Sequence, residues 1–122
     1  EKFENGYNTI LGERGVTLSG GQAQRISIAR SFIKDSEIYL FDDCFSSLDS
    51  DTEDRILKNL KNNFKNKTLI IISHRVSCVK HADNIIVLDN GRIIQNGSHN
   101  ELLRNEGYYK DLYLKQNSEI ND

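Results

Sequence analysis

Two short apolar segments, each running into polar residues, constrain the fold of this chain most. The first covers residues 37–41 and is followed by Asp42 and Asp43, and the second covers residues 68–72 and is followed by Ser73 and His74. Their length and their β-branched or apolar residues predict two buried strands. A helical segment lies between them, and strand–helix–strand alternation predicts an α/β fold with a parallel sheet that is flanked by helices.

Periodicity and capping residues predict the helices on either side of the first strand. Apolar spacing indicates a helix over about residues 21–34, and the residues on its inward face are Ile26, Ala29, Phe32 and Ile33. Ser50 and Glu53 have the spacing of a capping box, which predicts a second helix that ends near Asn63.

A hairpin and two helices are predicted for the C-terminal third. The turn residues Asp89-Asn90-Gly91 lie between strand-like segments at 84–88 and 92–95, which is a strong hairpin signal. Ser98 and Glu101 form another capping box before a short helix, and a stripe of tyrosines and Leu112 predicts the last helix. Residues 117–122 are a polar tail.

Phosphate and metal chemistry is indicated at two places in the chain. Residues 18–22 read Leu-Ser-Gly-Gly-Gln, and a Ser-Gly-Gly step that opens a helix presents backbone N–H groups and the positive end of the helix dipole to a polyphosphate. Asp42 ends an apolar strand, where a carboxylate suits Mg²⁺. Adjacent Asp43 strengthens that interpretation, because neighbouring carboxylates repel each other unless a cation is close.

Composition and charge exclude several classes of protein. The chain has 122 residues and a net charge of −2 without a basic cluster, which argues against nucleic acid as a partner. No apolar run approaches the ~18 residues needed to cross a bilayer. Cys44 and Cys78 form no disulfide framework, which favours a reducing compartment. His74, Cys78 and His81 do not complete a tetrahedral zinc set.

Taken in order, these motifs resemble the second half of an ABC-transporter ATPase domain of the exporter type. Leu18 to Gln22 resemble the signature motif of that family, and Ile38 to Asp42 resemble its Walker B strand. Ser46 to Asp49 are similar to its D-loop, and His74 to its switch histidine. Thr9 to Gly15 resemble the loop that touches the coupling helices of the membrane domain in exporters.

The resemblance implies a P-loop NTPase-like (RecA-like) parallel sheet with a C-terminal β-hairpin. Residues 1–18 would be the end of the helical subdomain with the exporter-type loop, and residues 19–122 the C-terminal part of the ATPase core. It implies ATP and Mg²⁺ as cofactors, and Ser19 would contact the γ-phosphate of ATP held by a second domain. The implied nucleotide-binding residues are Ser19, Gly20, Gly21, Gln22 and Asp49, the implied metal ligand is Asp42, and the implied catalytic residues are Asp43 and His74.

Asp43 departs from the family pattern, in which hydrolytic members carry glutamate at this position. Aspartate is shorter by one C–C bond, about 1.5 Å. A general base must approach the proton that it takes to within about 2.6–3.2 Å, so the shorter side chain favours a slowed or disabled base. In this respect the chain resembles the subunit of a heterodimeric ABC exporter that carries the degenerate ATP site.

The chain contains no G-x-x-x-x-G-K-[ST] sequence and no methionine, so we expect a piece of a larger protein, an incomplete domain that lacks the Walker A half. Alone it should be inactive and should expose a hydrophobic face where neighbouring strands are missing. The full-length ATPase is expected at the cytoplasmic face of the cell membrane. Its expected partners are a second ABC ATPase domain, homologous or heterodimeric, and the transmembrane domain of an exporter.

Three other interpretations remain open from the sequence. One is the first nucleotide-binding domain of a single-chain ABC transporter. Another is a soluble ABC-type ATPase of the chromosome-maintenance or DNA-repair class, which the exporter-like loop at residues 9–15 and the absence of heptads disfavour. The third is a folded piece that binds no nucleotide.

Overall fold

The computed structural model describes residues 3–12 and 16–118. A 3-10 turn at Gly6–Asn8 precedes the regular elements. The helices are α1 (Gly20–Ser31), α2 (Ser50–Asn63), α3 (Val76–Val79), α4 (His99–Arg104) and α5 (Tyr108–Ser118). The strands are β1 (Ile38–Asp42), β2 (Thr68–Ile72), β3 (Ile85–Asp89) and β4 (Arg92–Gly97). The β1–α2–β2 unit confirms the predicted α/β alternation. Glu13, Arg14 and Gly15 of the exporter-like loop, and residues 119–122 of the polar tail, lie outside the described residues.

β1 and β2 form a parallel two-stranded sheet, as the sequence predicted. Their register runs from Ile38 opposite Thr68 to Asp42 opposite Ile72. Pairing continues one residue further, because the Asp43 N–H donates to the Ile72 carbonyl oxygen at 2.9 Å. The two strands therefore end side by side, and the residues that follow them emerge at the same edge of the sheet.

One face of this sheet packs against α1 and α2. Tyr39 and Phe41 point into a core that includes Ile28 of α1 and Leu57 of α2. The sequence prediction for the inward face of α1 is confirmed for Phe32, which packs against this core. It was wrong for Ile26, which is 41% exposed, and Ile33, which is 84% exposed, and the helix ends earlier than predicted, at Ser31.

An aromatic cluster explains which side of α1 is buried. The Phe32 ring lies 5.4 Å from the Tyr39 ring and 4.8 Å from the Phe64 ring, measured between centroids. Ile28 is one helical turn before Phe32, so the side that carries both residues faces the core. Favourable contacts between aromatic rings therefore fix the rotation of α1 about its axis.

The opposite face of the sheet is bare. The exposed fractions of its apolar side chains are 61% for Ile38, 62% for Leu40, 46% for Ile70 and 49% for Ile72. The strands are thus buried on one face only, and the expectation of burial on both was wrong for these residues. The predicted exposed hydrophobic face is confirmed.

The start of α2 differs from the predicted capping box. Asp49 is the N-cap, and its Oδ1 accepts a hydrogen bond from the Thr52 backbone N–H at 2.9 Å. Ser50 is already helical, and Glu53 is turned inward, where it is 1% exposed. The prediction failed because an aspartate one position earlier supplies the cap and an arginine far along the chain attracts Glu53, as described below.

The C-terminal hairpin forms a second core with α3, α4 and α5. Asn90 and Gly91 connect β3 and β4 with φ values of +47° and +73°, the left-handed conformation that a two-residue hairpin turn requires. The core consists of Val76, Ile85, Leu102 and Tyr109. The predicted hairpin is confirmed.

The predicted Ser98–Glu101 capping box is also present, at the start of α4. Just beyond Ser98, the Nδ1 atom of His99 lies 2.8 Å from the hydroxyl oxygen of Tyr109. Tyr109 is buried in the second core, and that burial raises its pKa to about 12. These contacts attach α4 to α5.

Candidate functional site

The edge of the parallel sheet carries three of the predicted site residues. Asp42 ends β1, Asp43 follows it, and His74 lies two residues after the end of β2. All three residues are exposed. Because the strands end in register, two carboxylates and an imidazole are presented at one edge.

The backbone of Asp43 is held at both of its polar groups. Its N–H donates to the Ile72 carbonyl oxygen at 2.9 Å, and its carbonyl oxygen accepts a hydrogen bond from the Ser46 hydroxyl at 3.1 Å. Its φ of +46° lies in the left-handed region, which aspartate tolerates better than most residues. The carboxylate is therefore exposed on a main chain with little freedom to shift.

His74 combines a free ring with a fixed main chain. In the described ranges 3–12 and 16–118, no hydrogen bond or ion pair reaches its imidazole. Its carbonyl oxygen accepts a hydrogen bond from the Gln116 side-chain amide at 2.7 Å. On the other side, the Arg75 N–H donates to the Ser73 hydroxyl at 3.0 Å. The ring is thus available to a ligand at a position that the backbone defines.

The start of α1 contains the second group of predicted residues. Ser19 and Gln22 form a reciprocal capping box: the Ser19 hydroxyl oxygen accepts from the Gln22 N–H at 3.3 Å, and Gln22 Oε1 accepts from the Ser19 N–H at 2.9 Å. The Ser19 hydroxyl hydrogen has no acceptor among the described residues and can donate to an anionic oxygen. No hydrogen bond or ion pair joins either residue to Asp42, Asp43 or His74 within the described part of the chain.

Gly20 and Gly21 pack against the loop that follows β1. A Cβ atom built on Gly21 would lie 2.9 Å from the backbone oxygen of Ser47, closer than real contacts allow. A Cβ atom on Gly20 would lie 3.3 Å from the Ser47 hydroxyl. Close packing against Ser47 therefore explains the glycine at position 21 without a bound ligand.

Gln24 is a residue that the sequence analysis did not assign. Its Oε1 accepts a hydrogen bond from the Ser47 N–H at 2.8 Å, and its Nε2 donates to the Ser46 hydroxyl at 2.9 Å. Ser46 in turn donates to the Asp43 carbonyl oxygen. Gln24 therefore connects α1 to the loop that carries Asp43. A single polar residue in a helix gives no sequence signal for such a link.

Arg75 holds the other side of the same loop. Its Nη1 atom donates to the carbonyl oxygens of Leu48 at 3.2 Å and Phe45 at 3.4 Å. The same atom lies 2.8 Å from Oε2 of buried Glu53, an ion pair whose geometry is not that of a hydrogen bond. The guanidinium thus joins α2, the loop after β1 and the turn after His74.

Asp49 serves the structure of α2 through its carboxylate. The hydrogen bond from the Thr52 backbone N–H holds the pKa of Asp49 below its ordinary value. Capping of α2 thus explains the aspartate at position 49 even when no ligand is bound. The second half of the loop, from Ser46 to Asp49, is therefore fixed by α1, α2 and Arg75 together.

The edge residues fit a magnesium ion in part. Asp42 offers exposed carboxylate oxygens at the end of a parallel strand, the donor type that Mg²⁺ prefers. No group of three or more metal-binding side chains occurs in the described part of the chain. Asp42 would therefore supply one ligand, with phosphate and water oxygens completing the shell. Among residues 3–12 and 16–118, no helix has the length and apolar character needed to cross a membrane.

The chain is similar to known proteins over most of its length. The family model described as "ABC transporter" matches residues 2–46. A probable multidrug resistance ABC transporter ATP-binding/permease protein of Bacillus subtilis is 50% identical over 112 residues, which cover 92% of this chain and 19% of that protein. An ATP-dependent lipid A-core flippase of Legionella pneumophila is 48% identical, covering 100% of this chain and 21% of that protein.

A solved structure is similar in fold as well as in sequence. The ATP-bound structure of a bacterial Atm1-family ABC exporter superposes with a TM-score of 0.87 at 44% identity, over 93% of this chain and 20% of that one. The α/β architecture is therefore that of an ATPase domain of the P-loop NTPase class. Residues 2–46 thus match the ABC transporter family, and nearly the whole chain is similar to ABC transporter proteins. The chain spans about a fifth of the length of the curated relatives that it matches.

Proposed function

We propose that this chain is part of the ATP-binding and ATP-hydrolysing domain of an ABC exporter. ATP and Mg²⁺ are its cofactors, and it works at the cytoplasmic face of the cell membrane with a second ABC ATPase domain and a transmembrane domain. The transport proteins among its relatives support the exporter over a chromosome-maintenance or repair ATPase. A single-chain transporter would place the second ATPase domain on the same polypeptide.

The main support for the proposal is that β1 and β2 end side by side, with Asp42 opposite Ile72. This arrangement brings Asp42, Asp43 and His74 to one edge, exposed and on fixed backbone. Asp42 provides a ligand for Mg²⁺, which neutralises phosphate charge when bound. His74 presents an imidazole N–H to the terminal phosphate, and Asp43 faces the attacking water.

The start of α1 serves a different nucleotide in this proposal. Ser19 donates its free hydroxyl hydrogen to the γ-phosphate of ATP held by the second domain, and the N–H groups of Gly20 and Gly21 face the same phosphate. Gln22 holds Ser19 in place through the reciprocal capping box. Asp49 lies in the loop that approaches the interface between the two domains. Residues 19–122 then belong to the ATPase core, and residues 1–18 end the helical subdomain beside the membrane domain.

Of the two ATP sites, the site at the sheet edge hydrolyses ATP more slowly. Asp43 is about 1.5 Å shorter than the glutamate of hydrolytic family members. Its N–H and carbonyl hydrogen bonds prevent the main chain from advancing by that distance. A base that does not reach its proton loses much of the ~10²–10⁴-fold contribution that general-base catalysis makes. The working site combines Ser19 and Gly21 of this chain with the glutamate of the second domain.

Steady-state ATPase assays on the full-length protein with its second ATPase domain test this division. Ser19→Arg should lower turnover by about 10²-fold or more, because it removes a contact to transition-state charge. Asp43→Asn should change turnover little, and Asp43→Glu should raise it. Ser98→Arg is the matched control, since Ser98 caps α4 with the same kind of capping box and its side chain is hydrogen-bonded to Glu101 instead of a site residue.

Two results would count against the proposal. A loss with Asp43→Asn as deep as that with Ser19→Arg would identify Asp43 as a working base. A loss with Ser19→Arg no larger than that with Ser98→Arg would reduce Ser19 to a helix cap. For the isolated 122-residue chain, calorimetry should detect neither micromolar ATP binding nor heat of hydrolysis, because the chain has no P-loop lysine.

A further inference from the structure

We propose that Gln116 of α5 is a positioning residue for His74. This inference rests on the proposed function, in which His74 contacts the terminal phosphate of ATP. It assigns a role in the catalytic edge to the C-terminal helix, a part of the chain that carries none of the predicted site residues.

The Gln116 side chain uses both halves of its amide on the main chain around His74. Its Nε2 donates to the His74 carbonyl oxygen at 2.7 Å, and its Oε1 accepts from the Val76 N–H at 2.8 Å. Val76 is the first residue of α3, so its N–H is one of the donors that the helix itself cannot satisfy. One planar amide thus fixes the peptide groups on both sides of Arg75 and caps α3 from a distance.

The position of the His74 ring depends on this contact because the ring has no anchor of its own in the described part of the chain. Its location follows from its main chain, which is held by Gln116 and, one residue later, by the Arg75 N–H to Ser73 hydrogen bond. Gln116 itself projects from a helix that is fixed in the second core by Tyr109, which is 2% exposed. A rigid helix therefore determines where the imidazole stands.

Two substitutions separate the two hydrogen bonds. Gln116→Leu removes both of them at similar side-chain size. Gln116→Glu keeps an acceptor for the Val76 N–H but turns an oxygen toward the His74 carbonyl oxygen, where no hydrogen is available. Misplacement of a catalytic group by about 1 Å costs about 10²-fold in rate. Because the sheet-edge site is the slower of the two ATP sites, its turnover is measured in the Ser19→Arg background, in which the other site is disabled. In that background we expect turnover to fall at least tenfold in both variants, with ATP affinity unchanged.

Gln95 offers a matched control. Its Oε1 accepts a hydrogen bond from the Tyr109 N–H at 2.9 Å. Like Gln116, it is a partly buried glutamine that holds a main-chain N–H, but it does so at the other end of α5. Gln95→Leu should lower the melting temperature, by less than Gln116→Leu does, because it removes one hydrogen bond and Gln116→Leu removes two. It should leave turnover unchanged, because it does not touch the main chain at His74.

The experiment uses the full-length protein carrying Ser19→Arg and three readouts: the residual kcat of the sheet-edge site, the ATP dissociation constant and hydrogen–deuterium exchange of residues 74–80. The inference is supported if Gln116→Leu speeds exchange in that segment and lowers kcat while Gln95→Leu does neither. It is overturned if exchange in Gln116→Leu is unchanged, or if exchange rises without a loss of kcat. His74→Ala in the same background tests the proposed function on its own: if that variant keeps the residual turnover, the proposed role of His74 fails, and the inference fails with it.

Discussion

Removing the charge of Arg75 should destabilise the ATPase domain more than any surface substitution. Arg75 lies 2.8 Å from the Glu53 carboxylate, which is 1% exposed. Arg75→Met keeps most of the side-chain length and leaves that carboxylate buried without its cation. Breaking a buried ion pair by removing one partner costs about 3–5 kcal/mol. The loss of hydrogen bonds to the Leu48 and Phe45 carbonyl oxygens adds about 0.5–1.5 kcal/mol for each bond of good geometry.

The double variant Arg75→Met/Glu53→Leu distinguishes the ion pair from simple packing. Replacing both partners of a buried pair with apolar residues is often neutral or even stabilising. We therefore expect the double variant to be more stable than Arg75→Met alone by about 2 kcal/mol or more. Urea unfolding of the ATPase domain that contains this chain, without nucleotide, measures each free energy of unfolding.

Lys67→Met is the control for a pair at the surface. Lys67 pairs with Asp35 and Glu37, whose side chains are 86% and 83% exposed, so its loss should cost less than about 1 kcal/mol. If Arg75→Met costs no more than Lys67→Met, the buried ion pair does not stabilise the domain as described. The same holds if the double variant is as unstable as the sum of Arg75→Met and Glu53→Leu.

Three further predictions concern the start of α1, the cap of α2 and the exposed face of the sheet. Gly21→Ala should lower the free energy of unfolding by about 1–3 kcal/mol through its clash with the Ser47 oxygen, whereas Gly20→Ala should be nearly neutral, as urea titrations would show. The pKa of Asp49 is lower in the folded protein than its ordinary value of 3.8, so the charged carboxylate stabilises the domain at pH values above 3.8. This stabilisation is lost as the pH falls through the lowered pKa. The difference in stability between wild type and Asp49→Asn should therefore shrink in thermal melts at acid pH. The isolated chain should self-associate in analytical ultracentrifugation, and Leu40→Lys should reduce this, because Leu40 is 62% exposed.

Local patterns in the sequence predicted the elements that depend on local physics. The β1–α2–β2 alternation and the hairpin turn at Asn90-Gly91 are both present, since strand propensity and positive φ act within a few residues. The rotation of α1 was not predictable, because contacts between Phe32 and aromatic residues later in the chain decide it. Periodicity alone could not rank Ile28 above Ile26.

The candidate site was also predicted only in part. The exposed residues at the sheet edge were predicted from the sequence because carboxylates and an imidazole follow directly after apolar strands. Their supporting residues were not, since Gln24, Arg75 and Gln116 reach partners at least 22 residues away. Polar residues in helices and turns are usually solvated, so a single sequence gives no sign that these three hold the main chain of the site.

The position of bound nucleotide in the full-length protein would show directly which residues of this chain serve each ATP site. A structure with ATP and Mg²⁺ should show Asp42, Asp43 and His74 of this chain at the phosphates of one nucleotide. It should show the Ser19 hydroxyl at the γ-phosphate of another. A structure in which Ser19 and Asp43 face the same nucleotide, or in which neither faces one, would contradict the account.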